Sequence, residues 1–222
     1  MRRRGYTEPQ SMRRRHFLRL STAGVGGALT GVRAQETQVK VPLRFFTREE
    51  ALDVAAATAQ IFPSDESGPG ANEAGVVIYI DRQLAGPYGR DQHRYKAEPF
   101  EKGVPEQGYQ GKESPAQIYR EGLKQIAGLH RLNAAERVAA LTRIEGSLFF
   151  ELLRTHTIEG MFCDPMHGGN ADMVGWRLIG FPGPRMSYAG EVEQYNGKAF
   201  RPKPASLHQI VGHPVKPSED EI

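Results

Sequence analysis

Cysteine is almost missing from this chain of 222 residues. Cys163 is the single one, so no intramolecular disulfide can form. A catalytic thiolate needs a histidine or a helix N-terminus beside it, and the sequence offers such a neighbour only weakly, through His156 and His167. We therefore interpret Cys163 as a small buried apolar residue. Because 39% of the residues are hydrophobic, the chain has enough apolar material for one core without a disulfide.

The motifs of common catalytic and cofactor sites are also missing. The sequence has no nucleophile elbow, no dinucleotide-binding glycine fingerprint, no zinc motif and no Cys-x-x-Cys-His haem attachment. No complete catalytic set can be assembled from the residues alone. We therefore predict no catalytic residue, no metal ligand and no cofactor-binding residue in this chain.

The basic charge of the protein is confined to its N-terminus. Residues 1–34 hold eight arginines and one acid, whereas the remaining 188 residues hold 21 basic and 25 acidic residues. No later stretch combines clustered Lys and Arg with interleaved aromatic residues, as a surface that follows phosphates would. The sequence therefore gives no support for a nucleic-acid partner.

The N-terminus resembles a twin-arginine export signal. Its motif residues are Arg14, Arg15, Phe17 and Leu18. A weakly apolar run over 20–32 follows, which is too short and too rich in glycine to span a membrane. Small residues before Gln35 place the cleavage after Ala34, so that residues 1–34 form the signal peptide.

Helix-start patterns organise the rest of the chain. Capping boxes at 47–50, 114–117 and 133–136 predict three helices, and apolar spacing adds helices over 73–84 and 147–159. The predicted buried faces contain Tyr119, Leu123 and Ile126, then Val138, Leu141 and Ile144, and finally Leu148, Phe149, Leu152, Leu153 and His156. Short joints between the helices favour antiparallel neighbours.

We therefore predict an all-α fold: a small helical bundle-like domain over 35–183 with long ordered loops. An irregular, Pro-rich extended tail follows over 184–222. Residues 39–46 are predicted to form an extended arm. The connector over 86–111 contains four aromatic residues, which favours order against the body or a partner over flexible exposure.

The stretch over 156–183 combines glycine and proline with large apolar side chains, which indicates a loop held in one shape. We expect Asp164 to cap the turn at Pro165, and Asn170 or Asp172 to cap a short helix that carries Trp176. His156 ends an amphipathic helix face and is more typical of a hydrogen-bonded core histidine than of a base.

Two chemical alternatives for this loop stay open. Asp164, His167 and Asp172 include carboxylate and imidazole groups and could ligate a metal, although their spacing fixes no ligand geometry. A sugar-binding pocket lined by Phe162 and Trp176 is the other alternative. A phosphate cradle at 167–170 lacks the preceding strand and the lysine that such sites use.

The order of residues in this region matches a known family. The pattern consists of Thr155, His156, Thr157, Glu159, Gly160, Phe162, Asp164, Pro165, Gly168, Gly169, Asn170, Asp172, Gly175, Trp176, Gly180, Phe181, Pro182 and Gly183. It resembles the gluconate 2-dehydrogenase subunit 3 family, the small subunits of membrane-associated flavin-dependent sugar and polyol dehydrogenases. His167 departs from the pattern, since the family usually has tyrosine before the glycine pair.

The resemblance implies an accessory subunit rather than an enzyme on its own. In such complexes a large subunit of the glucose-methanol-choline type holds FAD and oxidises the sugar, and a multihaem cytochrome c subunit passes electrons to quinone. The small subunit supports export by the twin-arginine translocase, folding and stability of the flavoprotein. We therefore expect a periplasmic location, with membrane association only through the complex.

Ten residues are expected to shape the loop or to pack against the partner: His156, Phe162, Asp164, Pro165, Gly168, Gly169, Asn170, Asp172, Trp176 and Phe181.

Overall fold

The computed structural model describes residues 42–100, 103–200 and 203–212, and this part of the chain contains eight α-helices and no β-strand. The helices are α1 (Arg48–Ile61), α2 (Val76–Ala85), α3 (Pro115–Leu123), α4 (Ala134–Arg143), α5 (Leu148–Phe162), α6 (Val174–Ile179), α7 (Ala189–Tyr195) and α8 (Leu207–Val211). The all-α prediction is confirmed. The export signal and its cleavage site lie outside the described residues.

Side-chain caps fix the starts of the main helices. The side chains of Thr47, Ser114 and Asn133 each accept a hydrogen bond from the third amide of the following helix. The side chain at that third position in turn accepts a hydrogen bond from the backbone amide of the cap residue. All three predicted capping boxes are therefore present. Ser147 caps α5 in a simpler way, by accepting from the amide of Phe150.

Helix α5 is the centre of the domain and packs against α1, α2, α3 and α6. Its contact with α3 is close, because a Cβ on Gly122 would lie 2.0 Å from the ring of Phe149. Leu148 was predicted on the buried face but is 37% exposed. It occupies the first position of α5, at the rim of an open groove between α3 and α5, where the helix has not yet entered the core.

Two buried carboxylates attach loops to helices. On α2, Asp81 is 1% exposed and accepts hydrogen bonds from the amides of Arg44, Phe45 and Phe46 at 2.8, 3.0 and 2.9 Å. On α1, Asp53 accepts from the amides of Gly128 and His130, both at 2.9 Å. Burying a carboxylate without such donors would cost folding free energy, so the donating loop amides stabilise Asp81 and Asp53 in their buried positions.

The segment before α1 bends at residues 44–46, and the prediction of an extended arm is wrong there. Three successive amides can reach one carboxylate only if the backbone curls around it, and Asp81 supplies that carboxylate. From the other side, the Arg120 guanidinium donates to the Phe45 carbonyl at 2.6 Å and lies 3.9 Å from the centre of the Phe45 ring.

The connector over 86–111 is held by one arginine. Arg94 binds the Asp91 carboxylate at 2.6 Å, the Gly111 carbonyl at 2.6 Å and the Glu113 carbonyl at 3.3 Å. This network joins the two ends of the connector, while Tyr95 remains 89% exposed. The connector is thus ordered locally, and one of its aromatic rings contributes nothing to the core.

Short helices interrupt the segment that was predicted as an extended tail. After α7, the chain returns to the body, where the Ala205 amide donates to the Pro182 carbonyl at 3.2 Å. Helix α8 then begins with a capping box between Ser206 and Gln209. None of the helices in the described part of the chain is long and apolar enough to cross a membrane.

Candidate functional site

Asn170 organises the loop that sequence analysis singled out. Its side chain is fully buried, donates from Nδ2 to the Cys163 carbonyl at 2.8 Å and accepts at Oδ1 from the Gly175 amide at 2.8 Å. Its own amide donates to the Gly160 carbonyl at 2.7 Å. One side chain and its backbone therefore tie the end of α5 to the first turn of α6.

Two glycines allow the backbone of this loop to touch α5 directly. A Cβ on Gly169 would lie 2.3 Å from the Gly160 carbonyl oxygen, and a Cβ on Gly175 would lie 1.9 Å from the Met161 carbonyl oxygen. Both obstacles are backbone atoms of a packed helix, which cannot rotate away as a flexible side chain could. At these positions the chain requires the absence of a side chain.

Trp176 faces the interior of this domain. It is 3% exposed, its indole N–H donates to the Phe162 carbonyl at 2.7 Å, and its ring meets Phe181 edge-on with centroids 5.2 Å apart. Phe162 in turn packs edge-on against Phe62 of the loop after α1 at 5.9 Å. The aromatic residues of the loop thus form a layer that covers the C-terminal end of α5.

Asp164 caps the turn at Pro165 as predicted. Its Oδ1 accepts from the Met166 amide at 3.1 Å, and its Oδ2 accepts from the Leu207 amide at 2.8 Å. Of the two residues proposed to cap the helix of Trp176, Asn170 accepts the Gly175 amide of its first turn although Met173 holds the N-cap position, whereas Asp172 is exposed. The second contact of Asp164 attaches α8 to the loop and had no signal in the sequence.

The chemical alternatives for this loop are not supported by the structure. His167 and Asp172 are exposed, and both Asp164 oxygens already accept backbone hydrogen bonds. Among the described residues, no three His, Cys, Asp or Glu side chains are grouped so that they could hold a metal. The ring of Trp176 is enclosed by its own domain, so it is not open to a sugar as a pocket wall would be.

His156 lies between two tyrosines. Its Nδ1 and Nε2 are each 2.8 Å from a hydroxyl, that of Tyr119 on α3 and that of Tyr88 in the connector. The ring stacks on Tyr119 with centroids 5.6 Å apart. A neutral imidazole has one N–H donor and one acceptor, so one tyrosine accepts and the other donates. The prediction of a hydrogen-bonded core histidine is confirmed.

Burial keeps this cluster uncharged. It lowers the pKa of His156 to about 4, and it raises the pKa of Tyr88 to about 12, with a further contribution from the nearby Glu159 carboxylate. The pKa of the fully buried Tyr119 is raised well above its ordinary value for the same reason. Burial also raises the pKa of the half-buried Cys163 thiol to about 11, so this thiol stays protonated near neutral pH.

The lowered pKa of His156 predicts a loss of stability in mild acid. The unfolded histidine binds its proton near pH 6.5 and the folded one near pH 4, so stability is full above pH 6.5 and falls as the pH drops towards 4. Between pH 7 and 4.5 we expect a loss of about 2 kcal/mol from this group. Urea unfolding at both pH values should show this loss in the native protein.

The control for this prediction is His156→Gln, which has no titrating ring. Carboxylates such as Glu50 and Glu73, whose pKa values are lowered in the fold, add their own acid sensitivity to both proteins. The difference between the two proteins therefore isolates the imidazole. Equal losses for both proteins would show that His156 is not buried in its neutral form.

Sequence reasoning missed several residues that shape this region. Tyr88 belonged to the predicted connector and Tyr79 to the predicted helix over 73–84, but the partner of neither residue was predicted. Tyr79 donates to the Glu159 carboxylate at 3.0 Å. The partner of each residue lies more than 60 positions away, so no local pattern reveals the contact.

Comparison with known proteins places the chain in a family. Neither the curated proteins nor the solved structures compared with it contain a significant match. The model of the family described as gluconate 2-dehydrogenase subunit 3 matches residues 48–183, which run from the start of α1 to the end of the loop. The matched range includes Asn170 with its hydrogen-bond partners, and His156 with the two tyrosines that contact it. The chain belongs to the gluconate 2-dehydrogenase subunit 3 family.

Proposed function

We propose that this protein is the non-catalytic accessory subunit of a periplasmic, FAD-dependent sugar or polyol dehydrogenase. The family match over 48–183 carries the proposal, because the family is a subunit of the gluconate 2-dehydrogenase complex. In this complex a large subunit of the glucose-methanol-choline type holds FAD, and a multihaem cytochrome c subunit holds the haem. The accessory subunit supports export, folding and stability of the flavoprotein.

The chemistry of the loop is consistent with a packing role. The polar side chains of Asn170, Asp164 and Trp176 are engaged with backbone groups of the same chain. Such a loop is a rigid scaffold, which presents a fixed surface at little entropic cost on binding. Substrate choice then belongs to the large subunit.

The predicted export signal supplies the second part of the proposal. The twin-arginine translocase carries folded cargo, so a flavoprotein without a signal of its own can cross the membrane while bound to this subunit. The complex then remains peripheral to the cytoplasmic membrane, and this chain reaches the membrane only through its partners.

Changing Arg14 and Arg15 to lysine should strand the dehydrogenase in the cytoplasm. The arginine pair is the part of the signal that the translocase reads, so we expect a near-complete loss of periplasmic activity while the cytoplasm accumulates active flavoprotein. Activity with an artificial electron acceptor in separated periplasmic and cytoplasmic fractions measures this. Arg3→Lys with Arg4→Lys makes the same two charge-conserving replacements outside the motif and serves as the control. If the flavoprotein still reaches the periplasm in the Arg14 and Arg15 variant, the export role is wrong.

A further inference from the structure

One arginine on α2 has no bonding partner within the described part of the chain. Arg82 is partly buried, yet its guanidinium forms no hydrogen bond, ion pair or ring contact with any described residue. The guanidinium groups of Arg94 and Arg120, by contrast, each bind a carboxylate and a backbone carbonyl. A guanidinium has five N–H donors and keeps its charge at any pH that the fold survives, so a partly buried one is stabilised by an anion beside it.

The loop after α5 restricts the position of this guanidinium. A Cβ on Gly168 would lie 2.7 Å from Nη1 of Arg82 and 2.9 Å from its Cδ, so the arginine side chain lies directly on the glycine backbone. Gly168 has a φ of 95°, in the left-handed region that favours glycine. Its neighbour Gly169 packs on the backbone of α5. The guanidinium therefore rests on backbone that is itself fixed to the domain.

A carboxylate is bound by the same face of α2 and does not pair with Arg82. Tyr79 and Arg82 are three positions apart, which places them on one face of the helix. Tyr79 donates to the carboxylate of Glu159, which is exposed and forms no ion pair with another described residue. We call the area that these contacts join, with Tyr79, Arg82, Glu159 and Gly168, the α2–loop surface. It presents one cation and one anion at separate points.

This charge pattern favours a protein partner over a free anion. The planar fork of a guanidinium matches the two oxygens of a carboxylate and binds them through two parallel hydrogen bonds. A small free anion would gain that contact but would also be repelled by Glu159, which no cation neutralises. A protein surface carries both kinds of group, so it can offer a carboxylate to Arg82 and a donor to Glu159 together.

We propose that Arg82 receives a side-chain carboxylate of the flavoprotein large subunit on the α2–loop surface. This inference rests on the proposed function and adds to it the location and the chemistry of one contact. Both α2 and the loop lie within the range matched by the family model, and that family is a subunit of a complex. Because Gly168 already restricts the guanidinium, little side-chain entropy is lost when the partner binds.

Binding of the flavoprotein tests the assignment. The glucose-methanol-choline type flavoprotein from the same genome is titrated onto the full chain, immobilised through a C-terminal tag, and the retained flavin gives the dissociation constant. We expect Arg82→Gln to weaken binding at least about tenfold, because the partner's carboxylate loses its charged donor. Arg82→Lys keeps the charge without the planar fork and should lie between the two.

The matched control is Arg154→Gln. Arg154 on α5 is also partly buried and without a partner among the described residues, so this variant removes the same charge from a different helix. We expect it to change binding less than about twofold. Raising the salt from about 50 to about 500 mM should weaken binding of the native chain and of Arg154→Gln more than that of Arg82→Gln, which has already lost the screened pair.

Urea unfolding separates a contact with the partner from a role in the fold. The Arg82 guanidinium makes no bond within the described chain, so Arg82→Gln should unfold at the same urea concentration as the native protein. If Arg82→Gln unfolds at a lower concentration, the guanidinium serves the fold and the inference is overturned.

The remaining outcomes separate the two proposals. If the native chain retains no flavoprotein, the proposed function fails and the inference with it. If the native chain retains it and Arg82→Gln binds as well as Arg154→Gln does, the proposed function stands and only the inference is wrong. If the native chain alone binds inorganic phosphate or acetate with a Kd below about 1 mM and Arg82→Gln does not, the site belongs to a small anion and the inference is overturned.

Discussion

Gly175→Ala is expected to lower the free energy of unfolding by about 3 kcal/mol or more. The added methyl group would lie 1.9 Å from the Met161 carbonyl oxygen, which belongs to the packed backbone of α5. Relief requires α6 to move away from α5, which lengthens the bond from the Gly175 amide to Asn170 Oδ1 and lifts Trp176 from its place. The clash and the lost contacts therefore act in the same direction.

Urea unfolding measures this effect, and Gly190→Ala is the matched control. Gly190 lies in α7, where a Cβ would meet no atom within 4 Å. Alanine favours helix over glycine, so the control should be unchanged or more stable by about 0.5–1 kcal/mol. A Gly175→Ala protein within about 0.5 kcal/mol of the native one would contradict the close approach of α6 to α5.

Asp81→Ala is expected to cost about 3 kcal/mol and to release the segment before α1. The substitution leaves the amides of Arg44, Phe45 and Phe46 without their acceptor, and each lost partner of a buried amide costs about 1–3 kcal/mol. The segment can reduce this cost by detaching and binding water, so the total stays below the sum of three separate losses. Phe46, which is 5% exposed, would then leave the core.

Hydrogen exchange at the Phe45 and Phe46 amides, together with urea unfolding, measures both effects. Asp65→Ala is the control, because Asp65 is an exposed carboxylate that accepts from the Ser67 amide in a surface turn. We expect that control to lose less than about 1 kcal/mol. Unchanged protection of the Phe45 and Phe46 amides in Asp81→Ala would show that the carboxylate does not hold the segment.

Helices α1 to α5 were predictable because their signals are local. A capping box is complete within four residues, and the apolar spacing of α5 extends over four turns, so neither depends on a distant partner. The same holds for the turn at Asp164, whose acceptor and first donor are two positions apart. The choice between Asn170 and Asp172 depended on the path of the chain after the glycine pair, which the sequence left open.

The misses share a physical cause. Aspartate in a helix is usually a solvent-facing residue. Asp53 and Asp81 are instead buried, because they accept hydrogen bonds from amides 35 to 77 positions away. The bend at residues 44–46 follows from the same contact. Leu148 fits the apolar spacing of α5 but lies at its first position, where the spacing no longer indicates what covers the side chain.

The attachment of residues 44–46 to Asp81 also determines which bonds would resist a pulling force on the chain before α1. Tension applied to the chain on the N-terminal side of Arg44 would reach the Asp81 carboxylate and the Arg120 guanidinium before it reached α1. Three hydrogen bonds from backbone amides and one from the guanidinium would resist that force together, so α1 would not be unwound from its N-terminal end.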